Sequence, residues 1–336
     1  MERVPVFVGL DYHSSSIQVC VVDGSGSVLL NRRCGNSLAE VLEVSRGFGE
    51  PRRAAVEACC GAADLAEELS RAGWCISLAH PGYVARMKHS PDKTDYSDAR
   101  MLAELCRAAL VPEVWLAPQR VREMRALVRF RADQVQRRKS VKMRILAVLR
   151  EERIIEPKVS RWTKAWRSWL ASCQEISAAG RWIIGEHLRE IDELGARVER
   201  VGEQLAVLTA GDPVVQRLRQ MPGVGEVTAW TMRAIIGRFD RFKTGKQLAR
   251  FCALSPCNRS SGQRHADAGL IRAGDPLLKS VLVQAAHRLC RLDQRWAELA
   301  RTMLRKGKPK PVAIAAIANR WVRWMHHQLQ EVSRAA

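Results

Sequence analysis

No apolar run in this sequence reaches the roughly 18 residues that a membrane-spanning helix needs. The longest candidate, PVAIAAIA from Pro311, is cut short by NRWVRW, so no membrane span is expected. A CxxC pair is missing as well, and no His stands at zinc spacing. The ten cysteines (Cys20, Cys34, Cys59, Cys60, Cys75, Cys106, Cys173, Cys252, Cys257 and Cys290) are scattered. That is the pattern of buried thiols in a reducing compartment, not of a metal site or a disulfide framework. The opening MERVPVFVGLDYH has charge first and strand-like alternation next, with no signal-peptide core; a cytoplasmic, nucleoid-associated protein is expected. Acidic residues are in short supply, with 35 Asp and Glu against 55 Lys and Arg and a formal charge of +20. An excess of that size calls for a polyanionic partner, nucleic acid or an anionic surface. What remains is ordinary: 47% hydrophobic and 27% charged side chains over 336 residues exclude disorder, collagen and a small disulfide scaffold, and suffice for two domains with cores.

The charge is unevenly spread. Residues 1–100 hold 11 basic and 13 acidic side chains, a net of −2, which leaves +22 on the rest of the chain. An acidic first part beside a basic remainder suggests that its carboxylates serve something other than solubility. The first part reads as a three-strand meander, VFVGLDY, SIQVCVV and SVLLNRR, with turns at His13 to Ser15 and at Asp23-Gly24-Ser25-Gly26. A helix in LAEVLEVSRGF, a strand in RAAVEAC, a helix in AADLAEELSRAG and a strand in WCISLAH follow. Strands that begin as a meander and then alternate with helices predict an α/β domain with a mixed sheet over 1–117.

From Asp95 the pattern is helical. After Pro118 a long basic stretch to about Arg153 repeats Val121, Met124, Leu127, Val128, Val135, Val141, Ile145 and Leu149 at helical spacing. A second helix over Trp182 to Leu208 completes a predicted helical, coiled-coil-like arm over 118–208. Trp162, Trp166 and Trp169 fit packing of that arm better than base stacking. Asp212-Pro213 and the PGVG of 222–225 then open a region of short helices over 209–336. LRQMPGVGEVTAWTMRAIIG has the pattern of a helix-hairpin-helix, in which Gly223 and Gly225 let backbone N–H groups approach a phosphate.

Asp11 closes the first apolar strand and Glu57 closes another, while Asp95 and Asp98, three apart, share a helix face. A carboxylate at the end of a buried strand is costly unless it pairs or binds a cation. Four such groups converging where a mixed sheet opens would suit Mg²⁺ or Mn²⁺, and a two-metal site stabilises both attacking and leaving oxygens of a phosphodiester. Individually these residues are weak signals, since an Asp-x-x-Asp pair on a helix start is more often dipole compensation and a strand-end Asp is often a turn former. Further on, FCALSPCNRSSGQRHADAGLIRAGDPLLKSVLVQAA places Ser260 and Ser261 among Arg259, Arg264, His265, Arg272 and Lys279. A hydroxyl in such a setting can attack phosphorus if cations stabilise the added charge. RKGKPKP and WVRWMHH add basic and aromatic groups for phosphates and bases.

VGLDYHSSSIQVCVVD, AVEACC and HPGYVARMKHSPDKTDYSDARMLAEL, together with the C-terminal motifs, resemble the DEDD insertion-sequence transposases, over nearly the whole chain. The resemblance implies a RuvC-like (RNase H-like) α/β N-terminal domain and a mostly helical C-terminal serine domain. It maps Asp11, Glu57, Asp95 and Asp98 onto the four acidic positions. It makes a serine before glycine the nucleophile: Ser261 when aligned from Pro256, with Ser260 left open because the loop has one residue too many before Gly269. It also implies a phosphoserine link to DNA, donor and target DNA as substrates, a structured bridge RNA as guide, and a homo-oligomer, a dimer or tetramer. A water-using RuvC-like endonuclease or junction resolvase is the alternative, with a non-enzymatic nucleic-acid-binding protein behind it. A sugar-kinase-like or actin-like ATPase, which GLDYHSSSIQVCVVD also resembles, lacks a second Gly-rich phosphate loop.

Overall fold

Alternation of apolar residues builds the first unit. In the computed structural model, which describes residues 5–49, 51–88, 94–258 and 267–334, the three predicted strands are β1 (Val6–Tyr12), β2 (Ser16–Val22) and β3 (Val28–Gly35). They are followed by α1 (Leu38–Ser45), β4 (Pro51–Glu57), α2 (Ala62–Arg71), β5 (Ile76–Ala79), α3 (Pro81–Met87), α4 (Asp95–Arg107) and β6 (Glu113–Val114). The strands form one sheet of order β3-β2-β1-β4-β5-β6. β1, β2 and β3 pair antiparallel, β4 and β5 join in parallel, and β6 closes the edge antiparallel. α3 and β6 are not signalled by the apolar pattern, since both are short and lie beside proline.

Both faces of the central strands are covered. Val8, Leu10, Val19 and Val56 pack with Leu65 and Leu69 of α2 on one face. Phe7, Cys20, Ala55 and Ala79 pack with Ala99, Leu102 and Cys106 of α4 on the other. Gly9 belongs to the second face, and a Cβ built on it would lie 2.0 Å from the Ala99 carbonyl oxygen and 2.4 Å from the Ala103 nitrogen. The helix backbone therefore rests directly on the strand. A reciprocal cap starts that helix: the Thr94 hydroxyl accepts from the Ser97 N–H, and the Ser97 hydroxyl accepts from the Thr94 N–H, both at 3.2 Å.

The chain divides into two compact units, Met1–Pro118 and Gln119–Ala336. The second begins with α5 (Gln119–Glu151), α6 (Lys164–Ser172) and α7 (Ala178–Thr209). α5 and α7 run antiparallel, as bonds from Arg120 to the Leu208 carbonyl, Arg197 to Gln134 and Ser177 to Glu152 require. At the distal end Val141, Ile145, Leu149, Ile184 and Ile191 enclose the fully buried Trp166, against which Trp162 and Trp169 stack at 4.8 and 6.0 Å. At the other end Met124, Val128, Val201 and Leu205 join the core of the C-terminal helices.

Those helices are α8 (Pro213–Arg219), α9 (Glu226–Ile236), α10 (Gly245–Phe251), α11 (Pro276–Leu292), α12 (Gln294–Arg305) and α13 (Lys310–Arg334), with a hairpin of β7 (Pro256–Asn258) and β8 (Asp267–Leu270). The expectation of short helices throughout fails here, because α11 has 17 residues and α13 has 25. The expected base-stacking role of WVRWMHH fails for Trp321, which is fully buried in the core. The cysteines also depart from expectation: Cys59, Cys60 and Cys75 are exposed, at strand and helix ends where no apolar layer covers them. No described helix is long and apolar enough to cross a membrane.

Two substitutions test this packing. Gly9→Ala should lower stability by about 3 kcal/mol, because helix backbone cannot yield as a side chain does; Gly24→Ala, which meets nothing within 4 Å, should be near neutral in the same denaturant titration. In the second unit the buried Asp212 accepts from the Val214 and Val215 N–H groups at 3.0 Å and from Arg233 at 2.7 Å. Asp212→Ala strands the Arg233 charge, 9% exposed, and should cost about 3–5 kcal/mol.

Candidate active site

Register brings the strand-end acids together. Leu10 pairs with Val56 across the parallel β1–β4 junction, so Asp11 and Glu57, each one residue on, leave adjacent strands side by side. Both continue the sheet face that α4 covers, two residues beyond Gly9 and Ala55 respectively. α4 supplies Asp95 and Asp98 from its first turn. The four predicted acids thus come from two strand ends and one helix start at the same end of the sheet.

The geometry within this group is uneven. The Nε2 of His13 lies 3.3 Å from Asp11 Oδ2 and 3.2 Å from Asp95 Oδ1. The ligand atoms of Asp11, His13 and Asp95 all lie within 4.8 Å of one another, and they are the group so placed among the described residues. Asp95 is also bound by Arg33 of β3. Asp98, 9% exposed, is held by Lys88 Nζ at 2.5 Å. Glu57 is half-buried at the end of β4, outside the tight group. Burial above all, and then repulsion from Asp98 and Asp95, push the Asp11 carboxyl above its ordinary value, while His13 opposes them.

His13, Lys88 and Arg33 carry much of this arrangement, and the sequence reading took none of them as functional. A signal for His13 existed: it follows Asp11 by two residues, the period that keeps two side chains on one strand face. Lys88 and Arg33 are far from the acids in sequence and come to them only through the fold. A donor set of carboxylates, one imidazole and compensating cations fits a hard divalent ion. It also accounts for the cations, since packed carboxylates need positive charge nearby whenever no ion neutralises them.

The second unit places the remaining predicted residues separately. Ser260, Ser261, Arg259, Arg264 and His265 lie outside the described residues; the hairpin of β7 and β8 brackets them. Arg272 is exposed and Lys279 is half-buried in the first turns of α11. Gly223 has φ +81°, and a Cβ there would come within 3.1 Å of the Ala285 carbonyl and 3.3 Å of the Leu289 nitrogen. Its glycine is thus demanded by packing on α11, whereas Gly225 caps α9 in open space. Near the head of α11 lies an arginine group that the sequence reading also missed. Arg129 pairs with Asp275 at 3.2 Å, and Arg125 and Arg241 donate at 3.0 Å to the Ala234 and Ile236 carbonyls at the end of α9. Burial, then the neighbouring Arg125, lowers the Arg241 guanidinium to about 10.

Acids at the ends of adjacent parallel strands, with a further pair on an overlying helix, make an arrangement that could hold a divalent metal ion. Comparison with known proteins agrees in kind. Residues 8–154 match the DEDD-type "Transposase" model of the IS110 group, and residues 215–301 match the model described as "Transposase IS116/IS110/IS902 family". A "Probable family 20 transposase" of Pseudomonas aeruginosa is 27% identical over 93% of each chain. The "Transposase for insertion sequence element IS1111A" of Coxiella burnetii is 25% identical over 97% of this chain and 91% of its own. That for element IS1328 of Yersinia enterocolitica is 26% identical over 94% of both. The chain thus carries both domains of the IS110/IS116 group, the DEDD-type one and the second transposase one, and these with its relatives mark it as a transposase, an enzyme that cuts and recombines DNA.

The raised Asp11 carboxyl has a measurable consequence. Because the folded protein holds that proton more tightly than the unfolded chain does, stability falls as pH rises from the unfolded value through the folded one, and stays reduced above it. In EDTA at pH 7, Asp11→Asn should therefore melt at a higher temperature than wild type, with the gain fading toward pH 4. Adding Mg²⁺ should raise the wild-type melting temperature and leave that of Asp11→Asn nearly unchanged.

Proposed function

We propose that this transposase acts through a divalent metal, Mg²⁺ or Mn²⁺, held by Asp11, Glu57, Asp95 and Asp98, together with a serine nucleophile, Ser261 or its neighbour Ser260. The convergence of Asp11, His13 and Asp95 within 4.8 Å is the observation that carries this reading. The sheet order β3-β2-β1-β4-β5, with α4 on one face, supports an RNase H-like, RuvC-like first unit. The bound ion would polarise the scissile phosphate and lower the pKa of the attacking hydroxyl.

The chain's own residues do the rest. Lys88 and Arg33 hold Asp98 and Asp95 in place, and His13 bridges Asp11 and Asp95. In the serine step the Ser Oγ–P bond forms as the P–O bond to the deoxyribose breaks, and the released hydroxyl keeps the proton that the serine gives up. Energy of the phosphodiester is thus conserved in a phosphoserine and no water is consumed. Arg272, Lys279 and the helix-hairpin-helix at Gly223 and Gly225 supply phosphate contacts on the donor and target DNA. We further assign a structured bridge RNA as guide, a homo-oligomer built through the arm of α5 and α7, and action in the cytoplasm at the nucleoid.

The test traps detergent-resistant protein–DNA adducts in cells that carry the gene with its native flanks. Adducts should fall by about a thousandfold or more in Asp11→Asn and Ser261→Ala, and persist in Ser260→Ala. Mg²⁺-dependent nicking that survives in both serine variants, without adducts, would replace this reading with a water-using endonuclease.

A further inference from the structure

Between α5, α9 and α11 lies a cleft of about 430 Å³, inside the range of roughly 300–1,000 Å³ typical of ligand sites. Its floor is apolar, formed by Val128, Val135, Val227 and Val281. Val135 and Val227 are each 37% exposed, so the floor is open to solvent. Two kinds of polar group stand at its edges. The amides of Gln136 and Gln284 both donate and accept, while Arg131 and Lys139 are cations. Among the described residues these four side chains have no hydrogen-bond or ion-pair partner.

Arg131 is the informative member. Its Nε is buried and unbonded, and burial, then the like charge of Arg138, lowers its pKa. A half-buried guanidinium with no acid beside it is costly until an anion arrives. The complement of the whole cleft is an anion joined to a flat apolar body with a hydrogen-bonding edge. In a DNA-recombining enzyme whose residues beyond 100 carry a net +22, that description is met by a nucleotide. Pairing buries a base's edge and its faces, so the nucleotide must be unpaired, bulged or swung out of a helix.

We propose that this cleft receives one unpaired nucleotide, its base against the four valines and its phosphate on Arg131 and Lys139. The site rests on the chain's being a nucleic-acid-processing transposase, and it is separate from the carboxylate and serine chemistry. It would let the protein detect where pairing is interrupted without reading a duplex sequence.

The experiment uses the full-length protein in EDTA, with fluorescence anisotropy on a duplex carrying one bulged 2-aminopurine nucleotide and on the same duplex fully paired, each made as DNA and as RNA. Wild type should bind the bulged form about tenfold more tightly in at least one series, and the series with the larger ratio identifies the strand that supplies the nucleotide. Val227→Trp, which fills the floor from an exposed position, and Arg131→Gln should bring the ratio to about one with no loss of melting temperature. Gln284→Ala, on an exposed position, should reduce the ratio while binding of the paired form is retained. Equal binding of both forms by wild type, or a preference that survives in folded Val227→Trp and Arg131→Gln, overturns the proposal. Adduct formation by wild type together with equal binding would remove the nucleotide site and leave the metal-and-serine reading intact; a bulge preference without adducts would do the reverse.

Discussion

The approach of α4 to β1 over Gly9 is the constraint on which the acidic centre depends. With hydrogen in place of a side chain, the Ala99 carbonyl and the Ala103 amide lie where a Cβ would stand, and the first turn of α4 comes over the end of β1. Asp95 and Asp98 reach Asp11 only because of that closeness. Asp11, Asp95 and Asp98, gathered in this way, repel one another, and their neighbours are chosen accordingly: Lys88 on Asp98, Arg33 on Asp95, and His13 between Asp11 and Asp95. Burial above all, and then repulsion from Asp98 and Asp95, still hold the Asp11 carboxyl above its ordinary value. A residual imbalance of this kind is what a divalent ion removes, and it is a local cost that the sheet's two-sided core carries.

Positive charge in the second unit is used differently from what its sum suggests. Several arginines close helix ends instead of facing a partner. Arg120 donates to the Leu208 carbonyl, Arg125 to Ala234, Arg233 to Gly237 and Arg241 to Ile236, and Arg181 reaches the carbonyls of Ala171 and Cys173. These are the orphan acceptors that every helix leaves at its C-terminus. Part of the +22 therefore holds the helices together. Arg131 is notable against this background, because its Nε closes nothing.

The sequence made β1, β2, α2 and α4 legible because strict alternation and helical spacing survive wherever one element faces a continuous core. The placement of Asp11, Glu57, Asp95 and Asp98 at strand ends and a helix start was legible for the same reason: each stands at the edge of an apolar pattern. What stayed hidden depends on distant partners. Gly9 marks a strand glycine, which signals close backbone approach, but nothing local says that α4 is the visitor. Lys88 and Arg33 are ordinary surface cations until the fold aims them at acids. Trp321 was misread because aromatic residues beside arginines look the same in a nucleic-acid face and in an amphipathic helix whose inner side is core. Gly223 was read for phosphate approach; that its Cβ position also faces the backbone of α11 depends on a helix distant in sequence.

The two charge balances are complementary in purpose. An acidic centre of the kind proposed for catalysis repels phosphates, and a net of −2 over residues 1–100 offers no long-range attraction to overcome this. The basic remainder supplies that attraction, so association with DNA should be governed by counterion release and weaken steeply with salt. The carboxylates, by contrast, are compensated within a few ångströms by His13, Lys88 and Arg33, at separations where bulk salt screens little. Salt therefore acts on capture and leaves the geometry of the centre alone. This separation lets one chain combine a densely negative proposed catalytic end with a polyanionic substrate.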